Sequence, residues 1–155
     1  GNIKLHGAKF WVAGSTDGNS SKGKINWSGI TFDPSVTKEQ RTALISVMHH
    51  LYEVERDSFT ITKDARIEWH AGKGSAEALL DGGKIAEMVL RLTPKMSDAP
   101  VMVQNLKFWG SQSNNGFALI PSKVSAYRAG DRQFEFRDTN GFVTTIEITS
   151  KAQLP

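Results

Sequence analysis

One segment of this chain repeats its apolar residues at helical spacing over several turns: VTKEQRTALISVMHHLYEV, residues 36–54. Ala43, Leu44, Val47, Met48, Leu51 and Val54 form one stripe. Thr37 with Gln40 three residues on has the form of a capping box. In such a box the hydroxyl and the side-chain amide take up the first free backbone N–H groups. Glu39 in the first turn suits the positive end of the helix dipole. Asp33-Pro34 stops the extended run before it. A helix with one apolar stripe must bury it against something, so the remaining segments have to supply a sheet.

Those segments read as strands separated by turns. Residues 3–13 begin with alternation, Ile3 and Leu5 on one side, then become a short apolar run. Residues 24–32 place Ile25 and Trp27 on one face but Ile30 and Phe32 on the other, so a bulge or bend is expected at Ser28-Gly29. Between these two runs, residues 14–24 hold nothing apolar and read as a hairpin loop. After residue 57 the strand-like runs are 59–62, 66–71, 101–110, 115–130, 132–138 and 142–148. Asp138-Thr139-Asn140-Gly141 has the signature of a tight hairpin turn, because Asn-Gly accepts positive φ angles. Residues 75–92 fit either a helix capped by Ser75 or two strands, 75–80 and 84–92, around Asp81-Gly82-Gly83. Two glycines inside a helix cost about 1 kcal/mol each relative to Ala, which favours the strands.

With 155 residues the chain suits a single domain, 1–155. The expected class is α+β: a strongly bent, mostly antiparallel sheet of eight or nine strands packed on one main helix, about residues 37–54. No apolar run reaches the ~20 residues of a membrane-spanning helix, and no signal peptide is visible. The start at Gly1-Asn2 without Met suggests a processed or engineered start, consistent with removal of a signal. The 19 Lys and Arg give a net charge of +3 but never form a run of three. A nucleic-acid binder usually concentrates them, so nucleic acid is not an expected partner. With no Cys, the chain has no disulfides, thiolate ligands or Cys nucleophiles.

The Gly-rich stretch WHAGKGSAEALLDGGK, residues 69–84, resembles a phosphate cradle at first sight. A phosphate loop needs Gly-x-x-x-x-Gly-Lys-Ser/Thr so that backbone amides and the Lys converge on one anion. Here Gly74 follows Gly72-Lys73, and Ile67 stands where the first Gly belongs. A dinucleotide fingerprint fails as well. The stretch reads as two turns joining three strands. His49-His50 are adjacent on the helix and diverge by about 100°. His49 with Glu53 would give two ligands, yet a solvated or helix-end His is the simpler reading. His6 and His70 fall on expected strands. No Gly-x-Ser-x-Gly elbow occurs and no carboxylate pair stands out. No catalytic residue, cofactor or metal ligand is assigned. Trp11, Trp27, Trp69, Trp109, Phe108, Phe117, Phe134 and Phe136 all fall in strand runs, where packing into the core is the ordinary role. A curved sheet that kept some of them on a pocket wall would bind an apolar ligand; Trp69, Phe108 and Trp109 are the candidates.

The order of these features resembles the bacterial family catalogued as domain of unknown function 1326. The matching pieces are KEQRTAL opening the helix, DARIEW, DGGKIAEM and RQFEFRDTNGF, and the likeness runs from about residue 25 onward. The resemblance implies that 72–92 are strands and that a periplasmic or secreted location is plausible, with the cytoplasm as the alternative. Many such proteins begin with a Cys-rich segment suggesting metal or redox handling, which this sequence lacks. The family offers no established activity. The expectation is therefore a non-catalytic, cell-envelope binding module for an apolar or amphiphilic ligand or a partner protein. The alternative is a copper- or zinc-linked envelope protein. The oligomeric state is left open.

Overall fold

The computed structural model describes residues 2–16, 25–51, 59–95, 98–105 and 113–147. The described residues are mostly sheet with one α-helix, and the chain divides into two compact units, Gly1–Ile67 and Glu68–Pro155.

In the first unit, β1 (Phe10–Thr16), β2 (Ile25–Phe32) and β3 (Phe59–Ile61) form a sheet in the order β1-β2-β3, and α1 spans Lys38–Leu51. β1 and β2 are antiparallel, but β2 and β3 are parallel. With α1 between them, the chain returns to the sheet in its original direction. The capping box forms as its spacing predicts. Gln40 N–H donates to Thr37 Oγ1 (3.2 Å), and Thr37 N–H donates to Gln40 Oε1 (3.0 Å). The buried core is Ile30, Phe32, Val36, Leu44 and Met48, with Leu5, Ala8 and Ile45 packed against it. Val47 is 41% exposed, so the buried stripe is rotated toward Ile45 relative to the periodicity. Residues 52–58 lie outside the described residues, Val54 among them.

The expected bulge at Ser28-Gly29 does not occur. Gly29 faces Ala13 and Ser28 faces Gly14 in regular register, and the irregularity falls at Ser15/Thr16 instead. Ser28 through Phe32 are all buried. A central strand covered on both faces loses its alternation, and that loss looks like a phase change. Two side chains tie the loops down. Arg41 makes a bidentate pair with Asp64 (2.6 Å for each bond), donates to Val36 O, and lies 5.0 Å over the Phe32 ring. Asp33 accepts from Ser35 N–H, the Ser35 hydroxyl and Ile67 N–H at 2.7–2.9 Å.

In the second unit, β4 (Ile67–Gly72, whose first residue closes the first unit), β5 (Ser75–Leu80), β6 (Ala86–Arg91), β10 (Ser122–Tyr127) and β11 (Phe134–Thr139) form a sheet in the order β11-β10-β6-β5-β4. β7 (Val101–Val103), β9 (Phe117–Leu119) and β12 (Phe142–Val143) form a second, and β8 (Ser113–Asn114) pairs with β13 (Ile146–Glu147). Thirteen short strands are found among the described residues against the eight or nine expected; Pro121 and Thr144-Thr145 cut two of the long runs, and Ser113–Asn114 adds a short strand beyond them. Residues 75–92 are two strands joined at Asp81-Gly82-Gly83, whose three consecutive positive φ angles (51°, 64° and 95°) explain the double glycine.

The expected hairpin turn at Asp138–Gly141 is absent. Neither Asn140 nor Gly141 has a positive φ, which a type I′ turn needs at both central residues. The chain turns instead between Tyr127 and Phe134, with Gly130 at φ 64°. From there two segments run antiparallel without a register shift, from Tyr127↔Phe134 through Ser122↔Thr139 to Leu119↔Phe142. Ile120 N–H donates to Gly141 O (3.0 Å) within that ladder. This ribbon changes neighbours at Ile120-Pro121: β10 pairs with β6, whereas β9 pairs with β7.

Candidate apolar ligand site

That change of neighbour builds the site. β6 ends at Arg91 and β7 begins at Val101, so the two neighbours leave a gap along the same edge of the ribbon. Pro121 marks the step, since a residue without an N–H cannot continue a ladder. Its carbonyl takes the last bond from Arg91 N–H (3.0 Å).

An open groove of about 740 Å³ lies at this step. Its apolar wall is a cross-strand row, Phe142↔Leu119↔Val101, one residue from each strand of the β12-β9-β7 sheet. All three are exposed, Leu119 at 41%. The Phe142 ring packs edge-on against buried Phe117 at 5.4 Å, which fixes that end. Leu92, Ile120 and Pro121 continue the apolar surface at the step, and Ile120 is anchored in a core with Ala76 and Leu90. Thr93, Asp138, Thr139 and Asn140 supply polar edges. Lys123 Nζ reaches Thr93 Oγ1 (3.4 Å) and lies 3.9 Å from Asp138 Oδ1, so a cation and a carboxylate stand beside the rim. The arrangement offers apolar contact with polar groups at one side. A smaller groove of about 290 Å³ at the end of β4, β5 and β6 is lined partly by His70, Glu77 and Arg91.

Of the residues singled out from sequence as ligand-lining, only Trp69 is among the described residues. Trp69 lies on β4, is 50% exposed, and is not part of the groove wall. Phe108 and Trp109 lie outside the described residues. Of the other aromatics, Phe117 is buried, Trp11, Trp27 and Phe134 are half-buried, and Phe136 is exposed. His6 sits in an exposed turn rather than a strand, His70 is exposed on β4, and His49 is half-buried on α1. Among the described residues no three His, Asp or Glu approach closely enough to hold a metal ion, and no helix is long and apolar enough to cross a membrane.

Val101, Leu119 and Phe142 escaped sequence reading because each is an ordinary apolar residue in a strand-like run. The signal available was Pro121 in the middle of such a run, which marks a break where a strand loses its neighbour. No family model, curated protein or solved structure matches this chain.

Proposed function

We propose that this protein is a non-catalytic binding module that holds an amphiphilic ligand, with its apolar part on the Phe142–Leu119–Val101 row and its polar end at the Thr93–Asp138–Asn140 side. The observation that carries this reading is the exposed apolar row inside a groove whose volume falls in the range of small-molecule sites, about 300–1,000 Å³. A bacterial cell-envelope or secreted setting belongs to the same proposal and rests on the family resemblance alone.

The test is titration with a medium-chain fatty acid below its micellar concentration, followed by calorimetry and by amide shifts. Saturable binding should shift the amides of β7, β9 and β12. Leu119→Asp places a charge in the middle of the row and should weaken binding at least about tenfold, the effect of ~1.4 kcal/mol. Saturable binding that Leu119→Asp leaves unchanged, or no binding by the wild type, would reject the groove.

A further inference from the structure

The five-stranded sheet has two edges, β4 and β11. Among the described residues no strand pairs with the outer side of β11. Natural edges are commonly blunted by charged side chains, Lys above all, or by Pro; β11, Phe134-Glu135-Phe136-Arg137-Asp138-Thr139, has no Lys or Pro but carries Glu135, Arg137 and Asp138, so charge decides how it can pair. Phe136, at 55% exposure, is opposite Ser125, which is opposite Met88, which is opposite Ala78. One face of the sheet therefore carries exposed Met88 and Phe136, while Glu135 and Arg137 point to the other face.

Charge favours one way for this edge to pair with itself. Antiparallel pairing centred on Phe136 sets Phe136 against its own copy and Glu135 opposite Arg137 twice. Centring on Glu135 or on Arg137 sets like charges against each other, and centring between Phe136 and Arg137 sets Glu135 against Asp138. Opposite charges directly across a ladder stabilise it and like charges weaken it. Within one chain Glu135 already accepts from Arg128 (2.9 Å) and lies 3.4 Å from Arg137.

We propose that β11 is a homodimer edge, pairing antiparallel about Phe136 with β11 of a second copy to join two five-stranded sheets. The contact is isologous and closes at two. It is short, so the association is weak and reversible.

Sedimentation equilibrium up to about 1 mM, the range for so small an interface, should show a monomer–dimer equilibrium that goes no further. The β11 amides should gain exchange protection as concentration rises. Glu135→Arg sets Arg against Arg137 and should weaken association at least about tenfold, ~1.4 kcal/mol; adding Arg137→Glu restores the opposite pairing and the dimer. Phe136→Asp, with its melting temperature checked against wild type, should abolish the dimer. A monomer throughout the range, open-ended association, or a dimer indifferent to these substitutions would overturn the proposal.

Discussion

A Cβ at Gly141 would meet the Leu90 side chain and come within 2.9 Å of Ile120 O. The same residue looks, in sequence, like the second half of an Asn-Gly turn. Its real constraint is a close approach between ribbon and core, set by Leu90, which lies fifty-one positions earlier in the chain. No local pattern carries that information. Gly141→Ala should therefore destabilise the protein by about 1–3 kcal/mol, the usual cost of forcing atoms into a packed site. The denaturant midpoint should fall with an unchanged slope. A midpoint equal to wild type would mean that the ribbon relaxes freely at this point. By contrast, Thr37 and Gln40 were readable from sequence because their bonds span three residues.

At the level of elements, α1 and the 75–91 hairpin are legible in local pattern, whereas strand pairing, which depends on distant neighbours, is not. Helix α1 announces itself through its cap and its period, and the strands 75–80 and 86–91 through the glycines between them. The site arises differently, from β9 and β10 taking different neighbours on either side of Pro121. Pairing partners in a sheet are set by contacts distant in sequence, and alternation is silent about them. The parallel pairing of β3 and the two-sided burial of β2 were hidden for the same reason. The cap offers a test of how far α1 depends on its own sequence. Thr37→Ala removes the acceptor for Gln40 N–H and should cost about 0.5–2 kcal/mol. Gln40→Ala should cost more, because Gln40 Nε2 also donates to Lys4 O (2.9 Å) and pins the N-terminal segment. If both variants unfold at the same denaturant concentration, the Lys4 contact contributes nothing.

Across the whole molecule, the groups with displaced titration divide between the two units, and each unit has its own buried cluster. In the first, burial alone would raise the Asp33 carboxyl, but the hydrogen bonds from Ile67 and Ser35 with nearby Lys9 outweigh it and hold it low. The paired guanidinium of Arg41 holds Asp64 low. A carboxyl with a lowered native pKa contributes stability above its unfolded value, about 3.9, and loses it as pH falls through the native value. In the second unit, burial raises the Tyr127 hydroxyl. Its contribution is complete below the unfolded value, about 10, and is lost as pH rises toward the native one. The two units should then fail at opposite ends of the pH scale. Native-state hydrogen exchange between about pH 5 and 2.5, spanning the carboxylate range, should show Leu44 and Met48 amides losing protection before those of β5 and β6, measured as opening free energies to remove the intrinsic pH dependence. Above about pH 10 the amides of β6 and β10 around Tyr127 should loosen first, and Tyr127→Phe should remove that alkaline step while leaving the acid one in place. Opening energies that fall in step in both units at either extreme would show that the two cores unfold as one.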